Sequence, residues 1–278
     1  MLKIGYHISV AGGISLAFDR AEGLGCGCMQ VFVSNPRGWE IKKLDERDAG
    51  SFRSKRKSTG IEPIAHMPYL PNLASPKEDV YAKSKEALAG TLERCNLLGI
   101  RYLVMHLGSH LGEGTERGRE RVADAINEAA GRRGDVTMLL ENEAGQRNSV
   151  GSMLEELTAI HGMVDGKGVG FCLDTCHVFA AGYDIRRRDV AKEVADTLGA
   201  DRILCLHLND AKYPLGSRLD RHADIGFGHI GRKGFETFFR ATGLADKPMI
   251  METPLVETPK DARGELQAVR KMLNDALG

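Results

Sequence analysis

The sequence predicts a closed (β/α)8 barrel. Short apolar runs alternate with longer amphipathic segments along the whole 278-residue chain, eight such runs can be counted, and most of them stop on a His, Asp or Glu. Strands alternating with helices imply parallel pairing through right-handed crossovers, and eight such units in a chain of this length suit a closed barrel. No Pro/Ser/Gly linker or low-complexity stretch interrupts the alternation, so residues 1–278 are read as a single domain.

The first run, 2–6, leads to AGGIS at 11–15, a tight turn whose backbone amides could contact phosphate; it lacks the GxGxxG spacing that an open dinucleotide-binding sheet would carry. The remaining strand-like runs are 28–33, 61–65, 101–106, 136–141, 168–173, 202–207 and 248–252. Helical spacing of apolar residues marks 79–98, 115–130, 149–161, 187–198, 231–241 and 258–276. Ser75-Pro76 precedes the first of these, while Gly99 and Gly199 follow two of them, as helix boundaries require. After 168–173 the chain passes through Asp174 into small residues, read as a loop.

The 38 basic and 38 acidic side chains cancel, so any anionic partner must be held by local charge. The N-terminus has no apolar signal region, no stretch suits a membrane span, and the six cysteines form no CxxC pair. An intracellular, cytoplasmic monomer with reduced thiols is expected.

Six runs end alike: IEPIAH on His66, RYLVMH on His106, VTMLLE on Glu141, VGFCLD on Asp174, ILCLH on His207 and PMIME on Glu252. His, Asp and Glu make up about one residue in six, so this recurrence is not a compositional accident. A barrel gathers all of these ends at its C-terminal mouth. His177 lies three residues past Asp174, and DRH places Asp220 and His222 two apart on one side of an extended segment. Any one of these residues alone is more often a satisfied polar group than a ligand. Nine packed together would be costly without cations to neutralise them. Zinc takes four ligands, so nine imply two or three ions, with zinc favoured and manganese or iron next. His110 and His161 read as loop or surface residues, and His7 and His229 stay open. Cys172 and Cys176 are poor candidates for ligands. The clusters 55–57 and 186–188 suit phosphate, but on helices such runs are more often solvated faces.

LDTCHVFAAGYD, HLNDAK followed by GSRLDRH, LENEAGQ and HLGSHL resemble the signature blocks of the endonuclease IV family of apurinic/apyrimidinic (AP) endonucleases, and the resemblance runs from GYHISVAGG to METP. It implies a xylose-isomerase-like TIM barrel of the endonuclease IV type, holding three zinc ions and cutting double-stranded DNA 5′ to abasic sites to leave a 3′-hydroxyl and a 5′-deoxyribose phosphate. Carried over by position, His66, His106 and Glu141 would hold one zinc. Glu141 would bridge to a second with Asp174, His207 and Glu252, and His177, Asp220 and His222 would hold the third. Glu141 and Glu252 would be catalytic, with a metal-activated hydroxide as nucleophile. Arg37, in SNPRGW, and Tyr69 and Leu70, in HMPYL, would contact the DNA where the abasic nucleotide flips out. Two departures, Gly38 after the arginine and Phe227 in GFGHIG where GEGHIG is common, bear on DNA contacts and leave the ligands intact.

Two other readings compete. A xylose-isomerase-like sugar isomerase or epimerase would need only one divalent metal on Glu141, Asp174, His207 and Glu252. A binding protein without catalysis would leave an intact ligand set unexplained.

Overall fold

A computed structural model of the chain describes residues 2–35, 38–39, 44–164, 168–257 and 259–278. In chain order its strands are β1 (Ile4–Tyr6), β2 (Cys28–Phe32), β3 (Glu62–His66), β4 (Tyr102–Met105), β5 (Thr137–Glu141), β6 (Val169–Asp174), β7 (Ile203–His207), β8 (Asp210–Ala211), β9 (His222–Ala223) and β10 (Met249–Met251). Eight of them pair in parallel in the order β1-β10-β7-β6-β5-β4-β3-β2. A further parallel bridge between His7 and Gln30 joins the two ends of that order and closes the (β/α)8 barrel. The short pair β8 and β9 forms an antiparallel hairpin on the path from β7 to β10.

The helices are α1 (Leu16–Leu24), α2 (Glu46–Thr59), α3 (Glu78–Leu98), α4 (Thr115–Ala129), α5 (Leu154–Met163), α6 (Thr175–Ala181), α7 (Arg188–Leu198), α8 (Gly231–Thr242) and α9 (Pro259–Leu277). Local signals set their limits: the Asp45 carboxylate accepts the Arg47 and Asp48 N–H groups at the start of α2, and Gly99 takes φ 69° to stop α3. Among the described residues no helix is long and apolar enough to cross a membrane.

Two hydrophobic layers follow from strand alternation. Outward-facing side chains join the helices in the larger core, which includes Phe18, Phe52, Phe171, Phe235 and Phe239. Inward-facing Cys28, Ile64, Val104, Leu139, Cys172, Cys205 and Ile250, one from each of seven strands, pack into a dry plug inside the barrel. On the eighth strand Gly5 takes this place. A Cβ there would sit 1.7 Å from the Cys28 carbonyl oxygen, so only glycine lets β1 approach β2 and complete the cylinder.

The structure adds α1, α2 and the β8–β9 hairpin to the elements read from the sequence, and departs from that reading elsewhere. Residues 175–181 are the helix α6, not a loop: Asp174 caps it by accepting the His177 N–H, and Thr175 through Ala180 are all buried. Helix α5 begins at Leu154 rather than 149, because Gly151, at φ 99°, donates to Glu156 and accepts from the Glu143 N–H. The amides of the AGGIS turn that could have met phosphate, those of Ile14 and Ser15, donate instead to the Asp48 carboxylate.

Gly5→Ala should therefore destabilise the fold by at least about 3 kcal/mol, since backbone must move to accept the methyl group. Chemical denaturation of the two proteins measures this. A loss under about 1 kcal/mol would show that β1 does not approach β2 this closely.

Candidate metal centre

The plug positions the centre. Side chains two residues apart on a strand share a face, so Gln30, His66, His106, Glu141, Asp174, His207 and Glu252 stand above Cys28, Ile64, Val104, Leu139, Cys172, Cys205 and Ile250 on the same inward side. His66, Glu141, Asp174 and His207 are the last residues of their strands, and His106 and Glu252 lie one residue beyond theirs.

Their donor atoms converge around shared carboxylates. Glu141 Oε2 lies 3.2 Å from His66 Nε2 and 3.6 Å from His106 Nε2. Its other oxygen, Oε1, lies 2.8 Å from His207 Nδ1, which is also 3.8 Å from Asp174 Oδ2 and 3.5 Å from Glu252 Oε2. Asp220 Oδ1 lies 3.2 Å from His177 Nε2 and 3.3 Å from His222 Nε2. In each of three sets, His66 with His106 and Glu141, Glu141 with Asp174 and His207, and His177 with Asp220 and His222, ligand atoms fall within 4.8 Å of one another. All nine residues picked from the sequence thus meet at one end of the barrel. His177 reaches its place from the first turn of α6, and His222 from β9.

Each imidazole has one nitrogen tied down and the other turned into the cluster. Nδ1 of His66 contacts the Met67 carbonyl at 2.7 Å, that of His106 the Glu143 carboxylate at 2.9 Å, that of His177 the Asn142 carbonyl at 2.9 Å and that of His222 the Glu252 carbonyl at 3.2 Å. These acceptors leave Nε2 as the ligand atom. His207 is reversed: its Nε2 contacts Gln30 Oε1 at 2.8 Å and its Nδ1 faces the carboxylates. His177 Nε2 is buried and makes no hydrogen bond, although Asp220 is close by. A buried nitrogen aimed at a carboxylate without hydrogen-bond geometry is what a metal ligand looks like, so the residues fit divalent cations.

The charges agree. Burial opposes an imidazolium at His106, but Glu141 and Glu143 outweigh it and raise the ring to about 9. Burial likewise opposes charge on His177, His207 and His222, and their carboxylate neighbours override it to raise all three. His66 goes the other way, lowered by burial that Glu141 does not offset. Glu141 is buried and Glu252 and Asp220 are partly so, which opposes their charge, yet the facing histidines hold each carboxyl well below its usual range.

The other candidates fall as follows. Tyr69 and Leu70 are 60% and 40% exposed, with the Tyr69 ring 5.9 Å from that of His66 and 6.2 Å from that of His106. Arg37 lies outside the described residues. His7 belongs to the mouth, its Nδ1 3.3 Å from Glu252 Oε1, whereas His229 is exposed on the loop after β9. His110 is buried rather than on the surface and accepts the Gly112 and Gly114 N–H groups; His161 packs on Phe171. Cys172 belongs to the plug. Cys176 lies within reach of Asp174 and His222, but burial raises its thiol and it contacts the Arg221 carbonyl. The basic clusters are engaged locally: Lys55 pairs with Asp19, Arg186 with Asp184 and Arg187 with Asp189. Phe227 is 86% exposed, and a Cβ at Gly38 would meet Asn35 Nδ2 at 3.0 Å.

Sequence reasoning missed the residues that orient the ligands. Asn142 accepts the Asp174 N–H and donates to its carbonyl, Asn209 donates to Asp174 Oδ2 at 2.8 Å, Glu143 holds His106, and Gln30 sits between His207 and Glu252. The available signal was a polar residue inside or just after an apolar run, as in CMQVF, LLENE and LHLND.

A family model described as a xylose isomerase-like TIM barrel matches residues 18–273. The chain is 49% identical to a probable endonuclease 4 of Methanoculleus marisnigri, over 98% of this chain and 99% of that one, and 47% identical with the same coverage to one of Cenarchaeum symbiosum. The solved endonuclease IV from Thermus thermophilus is similar at a TM-score of 0.87 and 35% identity, covering 98% and 99% of the two chains. A D-tagatose 3-epimerase-like protein shares the fold at a TM-score of 0.77 with 18% identity, over the full length of both chains.

The electrostatics generate a pH signature. A histidine whose folded pKa exceeds its unfolded value of roughly 6.5 adds stability that is complete below that value and is lost as pH rises through the folded one. His106, His177, His207 and His222 are of this kind, so chelator-treated protein should lose thermal stability as pH rises from roughly 6.5 past 9. The depressed carboxyls act oppositely, their contribution being present above roughly pH 4.5 and lost in acid. Zinc must displace the imidazole protons, so the gain in Tm on adding zinc should grow over the same alkaline window. Thermal unfolding from pH 6 to 9 with and without zinc tests both; a zinc-induced gain independent of pH would contradict the proton displacement.

Proposed function

Since the chain belongs to the endonuclease IV family, we propose that it is a metal-dependent DNA-repair endonuclease that cleaves the phosphodiester bond 5′ to abasic sites in double-stranded DNA, leaving a 3′-hydroxyl and a 5′-deoxyribose phosphate. The observation that carries this reading is the convergence of eight residues into three donor sets joined through Glu141 and Asp174 at one barrel mouth, with Glu252 beside His207.

In this reading His66, His106 and Glu141 hold one cation, Glu141, Asp174, His207 and Glu252 a second, and His177, Asp220 and His222 a third. Bound there, divalent ions, zinc first and manganese or iron next, would lower the pKa of water toward neutrality and screen the charge of the phosphate. Glu141 turns one oxygen toward His66 and His106 and the other toward His207, so its carboxylate can serve two ions at once. Glu252 keeps Oε2 toward His207 while Gln30 occupies Oε1. A neutral protein can hold a polyanion at such a mouth because positive charge is needed only locally.

Tyr69 and Leu70 stand exposed beside this cluster and offer an aromatic face and an apolar tip to an unstacked helix. Sugar isomerase chemistry on one ion would use Glu141, Asp174, His207 and Glu252 and leave five converging ligands without a task.

The purified protein should hold close to three zinc ions and nick an abasic duplex. Glu141→Gln, which keeps shape but removes the shared charge, should lower single-turnover cleavage at saturating enzyme by at least about a hundredfold. One ion per chain, unchanged by Asp220→Ala or His222→Ala, would instead support the isomerase reading.

Tyr69→Ala should weaken binding to abasic duplex more than to undamaged duplex while zinc content stays the same. Equal weakening for the two duplexes in a fluorescence-anisotropy titration would rule out a role at the flipped-out nucleotide.

A further inference from the structure

Gln30 is wholly buried in the middle of β2, an expensive place for an amide unless its hydrogen bonds are made. Its Nε2 lies 2.9 Å from Glu252 Oε1 and 3.0 Å from His7 Nδ1, and its Oε1 lies 2.8 Å from His207 Nε2. A carboxylate oxygen only accepts, so the group facing Glu252 must be the NH2. The oxygen of Gln30 then faces His207, and a carbonyl oxygen can only accept, so His207 carries a proton on Nε2. The deduction holds whichever tautomer His7 adopts.

The consequence reaches two ligands. With Nε2–H engaged, His207 has only Nδ1 to offer as a lone pair, and Nδ1 is the atom facing Glu141, Asp174 and Glu252. With Oε1 engaged by Gln30, Glu252 has Oε2 left for the same place. The other four histidines have their free nitrogen selected by a backbone carbonyl or by Glu143. His207 alone depends on an amide, whose orientation depends in turn on Glu252.

We propose that Gln30 is the positioning residue of the second cation site, its amide fixing at one stroke which nitrogen of His207 and which oxygen of Glu252 meet the ion. This rests on the metal-dependent reading above. Wholly buried and engaged at both ends of its amide, Gln30 acts through these two ligands.

The test uses full-length protein loaded with zinc. Gln30→Met keeps the volume and removes both donor and acceptor; chelator competition should show one zinc weakened ten- to hundredfold and the others unchanged. Long-range proton–nitrogen correlation spectra should show a solvent-protected His207 Nε2 proton in the unsubstituted protein and its loss in Gln30→Met. Gln30→Glu keeps an acceptor for that proton, so the resonance should survive there; this variant decides the matter if Gln30→Met does not fold. Retention of the protected proton in Gln30→Met, its loss in Gln30→Glu, unchanged zinc affinity, or equal weakening of every zinc would overturn the proposal. An unsubstituted protein that binds no zinc would overturn the metal-dependent reading along with it.

Discussion

The two-residue period of the β-strand is the constraint on which the rest of this molecule depends. A strand that points Ile64 or Leu139 into the barrel must point His66 or Glu141 the same way one step further along. Repeated around the barrel, that rule lays a dry plug and sets a ring of ionisable groups on top of it. The plug keeps water from beneath, and the ring is held by backbone that already belongs to the sheet. Ligands mounted on strand ends are positioned more rigidly than ligands on loops, which suits a centre that must place several charges within a few ångströms.

Packing so many ionisable groups together has an electrostatic cost, and the structure meets it by interleaving signs. Glu141 is buried, yet it faces four imidazoles within 3.6 Å, so its charge is stabilised rather than stranded. The carboxylates in turn raise His106, His177 and His207 against burial. Protons and divalent cations compete for the same lone pairs, and this is why the pH response of the fold and the uptake of metal are two views of one balance.

Legibility in the sequence tracked how closely a feature was tied to that period. The barrel and the convergence of its six His, Asp and Glu strand ends could be read because an apolar run has a visible end and the topology says where all such ends meet. Asp220 and His222 stood out through spacing alone, since β8 and β9 are two-residue strands with no apolar run to mark them. Helix α6 could not be read, because its seven residues are almost wholly buried on every side and give no amphipathic stripe; α2 was obscure for the opposite reason, burying only Ala49 and Phe52. Gln30, Asn142 and Asn209 stand out as polar residues in or after apolar runs, but their task could not be read because an amide has no preferred chemistry until its neighbours are known.

The loops around the mouth extend the same logic to the backbone. Asp210, in the HLND segment that follows the seventh barrel strand, is fully buried and ligates nothing in the cluster. Its carboxylate instead accepts backbone N–H groups from Gly226, Gly228, Ile230 and Gly231, gathering GFGHIG around one internal anion. Gly228 comes so close that a Cβ would stand 2.5 Å from the Ala211 carbonyl and from Asp210 itself. The Asp48 carboxylate does the same for the turn after the first strand. Carboxylates therefore serve two ends in this chain: those at the centre of the mouth face imidazoles, while Asp210 and Asp48 are engaged by backbone amides and fix the loops. The distinction lies in the partners rather than the residue type, so an Asp beside a ligand motif is assigned its task only when its hydrogen bonds are counted.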